Sequence, residues 1–343
     1  MRYIIIIGIL LSANNLVCQT MHNDSMYMNG ICDESGYCIP SLEGLPRPKG
    51  LELNYTRVLG YDLTTKYKDS EEEFDNSVNN NRRLGLKLKG PLILNKKLSV
   101  TLGLEYEMEE FSFDNSQSLD NSFQNYLDDR DLQMIGAKLY VIKPLKGDKY
   151  FVSRLSYRLS SDFIDDSYRE QSRASATMLY GKKASRTLTW GLGLSYSYAF
   201  GRQAVYPIVA YSRILNDKWS MDILLPVSAK FRYMFNQKNI LMLSPKITGD
   251  KYYVTINEHS PERLYFEKAS LNLSLTYERE IHDFFWVTCG VGARTNINFR
   301  LSEKNAFLER TTPLITNQLK DALYIQAGIF LVPPRKWLEK KSK

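Results

Sequence analysis

Alternation with a period of two constrains this chain more than any other feature. It is plainest over residues 187–200, TLTWGLGLSYSYAF. One face of that stretch carries Leu188, Trp190, Leu192, Leu194, Tyr196, Tyr198 and Phe200. The other carries Thr187, Thr189, Gly191, Gly193, Ser195, Ser197 and Ala199. Successive side chains of a β-strand point to opposite faces, so this order reads as a strand with one large apolar face and one small face. The same pattern recurs over 97–108 (KLSVTLGLEYEM), 269–278 (ASLNLSLTYE) and 285–301, and more weakly over 83–89, 135–142, 151–160, 227–235 and 321–331. No long helical period and no solenoid or propeller repeat accompanies it.

A soluble sandwich or a lipocalin-like barrel would also alternate. Two observations favour a transmembrane barrel instead. The second face is often Gly, Ser or Thr where a soluble protein would show charge. Aromatic residues gather toward strand ends, as at Tyr106, Phe111 and Phe113 or at Phe284, Phe285 and Trp286, which suits a membrane–water boundary. Most segments reach the roughly 9–11 residues that a membrane-crossing strand needs.

The connections sort by length and by charge. Long polar segments (60–82, 114–131, 161–172, 248–264, 302–320) alternate with short ones (95–97, 143–149, 182–186, 216–218, 236–238). Those five short turns hold ten basic residues and two acidic ones, Asp148 and Asp217, whereas acidic runs such as DSEEEFD (69–75) lie in the long segments. Barrels of bacterial outer membranes place short turns in the periplasm and long loops outside. A sixth short turn, 279–283 (REIHD), breaks the charge trend.

Together these features predict an all-β fold, an antiparallel up-and-down transmembrane barrel of 12 to 14 strands over residues 49–332, in the cell outer membrane. The fourteen candidate strands begin at 50–59 and 83–94 and end at 284–301 and 321–331; Pro226 and the segment 252–257 leave twelve open. An open sheet is excluded, because lipid offers no partner to unpaired edge groups. In the stretch 187–200, Tyr198 and Phe200 are expected to face lipid near the outer boundary.

The segments AVYPIVAYS (204–212), KWSMDILLPVSAKFRY (218–233), GDKYYV (249–254) and FWVTCGVGA (285–293) resemble a family of outer-membrane β-barrel proteins of unknown function from Gram-negative bacteria. The resemblance covers most of the chain after about residue 48. It implies a barrel in the outer membrane and assigns no chemistry.

Residues 1–18 read as a signal peptide, with Arg2, the apolar run 3–11 and a polar exit before Cys18. Lipid modification at Cys18 is the rival, although Val17 is bulky for it. Residues 19–48 then form a periplasmic N-terminal segment and 333–343 a basic periplasmic tail. In an exported chain, Cys32 and Cys38 of CDESGYC are close enough to form a small disulfide loop.

Nothing in the sequence demands a cofactor, a metal or a nucleic-acid partner. Its histidines are His22, His259 and His282, and only His259, beside Glu258 and Ser260, falls where a rim catalyst would need one. A rim enzyme acting on lipid or peptide is the least favoured reading. Function is expected from the electrostatics of the inner face and not from catalysis: Lys87, Glu105, Glu107, Lys138, Arg154, Arg158, Arg232 and Arg294 all point there in the strand registers above. On the lipid face at mid-depth a Lys or Arg costs about 2–4 kcal/mol, which sends these charges inward. Two lumens fit them: a porin-like channel for small polar or anionic solutes, or internal ion pairs that fill a structural or adhesion barrel. The expected partners are outer-membrane lipid, the barrel-assembly machinery and, for a channel, small polar solutes.

Overall fold

The computed structural model describes residues 30–32, 38–40, 42, 45–68, 72–114, 122–164, 168–256, 262–303 and 313–336. After a short antiparallel ribbon, β1 (Gly30–Cys32) and β2 (Cys38–Pro40), come β3 (Leu51–Val58), β4 (Tyr61–Tyr67), β5 (Glu73–Leu94) and β6 (Ser99–Phe113). Helix α1 (Ser122–Asp129) precedes β7 (Leu132–Pro144) and β8 (Lys149–Ser161), and the short α2 (Tyr168–Gln171) precedes β9 (Ser172–Lys183). Then follow β10 (Leu188–Ser197), β11 (Ala204–Ile214), β12 (Trp219–Leu225), β13 (Ser228–Asn236) and β14 (Asn239–Ile256). The chain finishes with β15 (Glu262–His282), β16 (Phe285–Ser302), β17 (Ile315–Leu319) and β18 (Ala322–Leu331).

Fourteen of these strands, β3, β5 to β16 and β18, are the staves of a closed antiparallel barrel. The last stave closes on the first, from Leu51 opposite Leu331 to Val58 opposite Tyr324. All fourteen predicted segments are staves. The doubt at Pro226 resolves into a tight turn, in which the Val227 N–H donates to the Leu224 carbonyl at 2.8 Å and separates β12 from β13. β4 and β17 are additional. β3 and β18 are short, so the upper parts of β5 and β16 need other partners, and β4 and β17 fill that gap by pairing with them and with each other.

The alternation places its large face outward. Leu192 and Leu194 of β10 are 55% and 59% exposed, while Thr189, Ser195 and Ser197 beside them are buried in the lumen. Outward Leu155, Val291 and Leu323 continue this apolar band around the wall. In β16 the pattern changes phase: Ala269 faces Asn298 and Ser270 faces Asn296, which leaves Ile297 as a bulge. Below the bulge odd residues face out; above it Phe299 and Leu301, expected on the same face, turn into a buried cluster.

The long outer segments are not simply loops. Segment 248–264 is mostly strand: β14 and β15 extend past their neighbours as one hairpin, and every residue from Lys251 to Ile256 is buried. This hairpin bends into the barrel mouth. Its base lies against the β10–β11 turn, and a Cβ on Gly249 would sit 2.2 Å from the Tyr198 carbonyl oxygen, so only glycine fits. Its far end reaches β8, where the Ser161 hydroxyl donates to the Tyr253 carbonyl at 2.9 Å. Beneath it Phe266 meets Phe299 and Phe123 edge to face at 4.6 and 5.4 Å, joined by Leu127, Val254 and Leu264. Staves β10 to β13 are short and leave the rim low on that side, so the tall hairpin covers its apolar surface by folding over. The same turn corrects the expectation for Tyr198 and Phe200. β10 ends at Ser197, Tyr198 lines the lumen, and Phe200 packs on Tyr206 inside the wall.

At the periplasmic end, the exceptional acidic turn has a structural cause. Glu280 and Asp283 bind Arg47 from the chain entering the barrel and Arg335 from the chain leaving it, at distances of 2.5–3.1 Å. A basic turn here would repel both. Partial desolvation acts to raise the Asp283 carboxyl, but the Arg335 backbone N–H and the Arg47 and Arg335 charges outweigh it and hold the group below the usual aspartate range. A depressed folded value means that the clasp is complete above the ordinary aspartate range and is lost as pH falls through the lower, folded value. Protection of the Arg335 amide against hydrogen exchange, corrected for its intrinsic rate, is expected to follow that course; loss of protection already near neutral pH would refute it.

The ribbon sets Cys32 directly opposite Cys38. Their side chains, the 1–18 segment, His22 and His259 with Glu258 and Ser260 lie outside the described residues.

Candidate functional site

Inside the barrel, between the hairpin and the periplasmic end, lies a cavity of about 320 Å³. Nine basic and three acidic side chains line it. Seven of the eight charges singled out from sequence are among them: Lys87, Glu105, Glu107, Lys138, Arg154, Arg158 and Arg294. They come from five staves, the adjacent β5 to β8 and the distant β16, and the barrel's closure brings Arg294 of β16 to the rest. Arg232 is the exception. It points inward as expected, but pairs with Asp222 on the adjacent stave β12 and does not line the cavity.

Two ion-pair groups organise the wall. Glu105 on β6 is nearly inaccessible; it holds the Lys138 ammonium of β7 and accepts from Arg158 Nε of β8 at 2.6 Å. Gly136 of β7 gives this pair its room, because a Cβ there would lie 2.9 Å from the Arg158 side chain and 3.0 Å from Glu105 Oε1. Glu107 pairs with Arg83 of β5 and lies 4.0 Å from Lys87. Two further cations donate to neutral groups. Arg154 donates to the Thr177 hydroxyl at 3.1 Å, and Arg294 donates to the amide oxygens of Asn272 and Asn81 at 3.0 Å each. Buried ions require partners or bound counter-charge, so a lining with this excess of positive charge is suited to anions.

Five charged lining residues were not among those eight: Arg83, Lys230 and Lys246, which sit on strands the alternation covers, and Lys49 and Asp250, which lie outside it. Lys49, just before β3, reaches into the cavity and binds Glu278 at 2.6 Å; no strand pattern covers it. Asp250 lies in a segment read as loop, yet Ser244, Lys246 and Thr248 share its parity and line the same cavity. Extending the alternation by one step past Gly249 would have found it. Asp250 Oδ2 accepts from Arg83 at 3.2 Å and so links the base of the hairpin to a distant stave.

Apolar clusters occupy two other parts of the inner surface. Tyr140, Ile142, Tyr150, Val152 and Leu179 form one cluster on β7 to β9, which Tyr206 and Ile208 continue on β11. Ile240, Met242, Trp286 and Phe330 form another at the periplasmic end. Among the described residues, no group of His, Cys, Asp and Glu could hold a metal ion. His282 packs against Phe284 in the periplasmic turn.

A family model described as a domain of unknown function (DUF6268) matches residues 61–331. Comparison with curated proteins found no match. Among solved structures, the COG4313 outer membrane channel from Pseudomonas putida F1 is similar, with 8% identity, a TM-score of 0.40, and coverage of 84% of this chain and 98% of that one. The Pseudomonas putida toluene transporter TodX aligns with 8% identity and a TM-score of 0.32, over 83% of this chain and 89% of its own. A Pseudomonas aeruginosa FadL homologue aligns with 7% identity and a TM-score of 0.33, over 82% and 90%. At such scores the barrel rests on its own strand ladder.

Proposed function

We propose that this chain, which belongs to the DUF6268 family and stands in the outer membrane as a closed β-barrel, is a gated channel for small polar solutes. The observation that carries the reading is the charged chamber retained at the centre of the lumen. A barrel of this strand number has space inside, and purely structural packing would fill it with side chains. The β14–β15 hairpin that covers the outer end is the part of two staves that rises past their neighbours, so it can be shortened without breaking the wall. The charges that line the chamber offer hydrogen bonds and field to a polar solute. No reacting group is needed.

The apolar core beneath the hairpin favours a second reading, a permanently closed structural barrel. Planar-bilayer recording separates the two. Wild-type protein is expected to be almost silent, with rare openings, and a variant whose hairpin residues 250–266 are replaced by a tight turn is expected to conduct steadily. A shortened barrel that shows the folded shift on an unboiled gel and stays silent would refute the channel and leave the structural barrel.

A further inference from the structure

We infer that the lumen cavity is a binding site for a compact oxyanion, and that the Asp250 carboxylate is a built-in competitor for it. The inference rests on the cavity that carries the channel reading, and it assigns that cavity a ligand class.

Charge is the first ground. Nine basic side chains against three acidic ones face a space of about 320 Å³, large enough for a small anion with a few waters. Lys49 is held by Glu278, which does not line the cavity, and discounting it still leaves the lining strongly basic. Two of the three acids are enclosed by cations of their own: Glu105 by Lys138 and Arg158, Glu107 by Arg83 and Lys87. They neutralise part of the wall and present little negative charge to the space.

Geometry is the second. Guanidinium groups suit oxyanions, because their N–H donors match the oxygen spacing. Arg83, Arg158 and Arg294 arrive from β5, β8 and β16, three separate parts of the wall. Arg294 spends its named hydrogen bonds on neutral amide oxygens, and the carboxylate whose field reaches it is that of Asp250.

Asp250 is the third. It follows Gly249, where the hairpin leaves the wall, and its carboxylate already contacts Arg83 from inside the cavity. A tethered carboxylate on an arginine is an oxyanion in place. Its contact at 3.2 Å is the longer of the two that Arg83 makes with carboxylates. An incoming oxyanion takes that position, and Asp250 must move aside.

Isothermal titration of the refolded full-length barrel with sodium phosphate, and separately with sodium acetate, at constant ionic strength tests this. Wild type is expected to bind at least one of the two, and the one bound identifies the phosphoryl or carboxylate source. Asp250→Asn removes the competitor without removing a cation and is expected to tighten binding about tenfold, the equivalent of one strong polar contact. Arg294→Met is expected to weaken it by a similar factor. The folded mobility shift on an unboiled gel confirms each variant. Absence of binding to both anions in wild type and in Asp250→Asn overturns the inference, as does an Asp250→Asn that binds more weakly. The channel reading is judged apart: steady current through the shortened barrel without anion binding leaves the channel and sinks the oxyanion site, and anion binding in a silent shortened barrel does the reverse.

Discussion

Replacing Glu105 by glutamine is expected to destabilise the barrel by about 3–5 kcal/mol, the cost of leaving buried cations without their counter-charge. Glu105 is the shared partner of Lys138 and Arg158, and its side chain is only 3% exposed. Glutamine keeps the shape and loses the charge, so the loss measures electrostatics and not a cavity. Because the penalty comes from the stranded cations, removing one should return part of it. Glu105→Gln combined with Lys138→Met should therefore be more stable than Glu105→Gln alone, a non-additivity expected of groups in one network. Reversible urea unfolding from lipid vesicles reads both effects. A Glu105→Gln barrel as stable as wild type would show that water, not Glu105, balances the two cations.

Leu192→Arg is the second large effect, expected to cost about 2–4 kcal/mol because the guanidinium would enter lipid near mid-depth. Leu192 stands at the middle of β10 with its side chain outward. The control is Leu192→Met, a volume-conserving apolar change expected to cost under about 1.5 kcal/mol. The same exposed position on a soluble sandwich would accept arginine at almost no cost, so this pair of variants tests the lipid contact itself. Equal unfolding midpoints for the arginine and methionine variants in vesicles would contradict a lipid-facing Leu192.

The wall was legible because its information is local. Leu192 and Ser195 declare their faces through their immediate neighbours, and the same rule located every stave and turned Lys138, Arg158 and Arg294 inward. It failed where the backbone departs from strict pairing. The bulge at Ile297 inverts the phase, so Phe299 and Leu301 changed sides. β10 stops at Ser197, and Tyr198 and Phe200 leave the lipid face with the turn. The outer segments were read as loops because charged runs obscure their alternation, whereas the protein builds β4, β17 and the tall hairpin there. The acidic turn 279–283 was visible only as an exception, since its partners Arg47 and Arg335 lie far from it in sequence.

By itself the sequence determined the strand type, the lipid face, the inside–outside phase of the connections and the inward set of charges, because each follows from period two and from the cost of charge in lipid. Tertiary structure alone decided which inward charges meet, that Asp250 reaches Arg83, and that the β14–β15 hairpin closes the mouth. Those outcomes depend on how the barrel closes and on the relative heights of staves remote in sequence. No local pattern encodes a distance across a lumen.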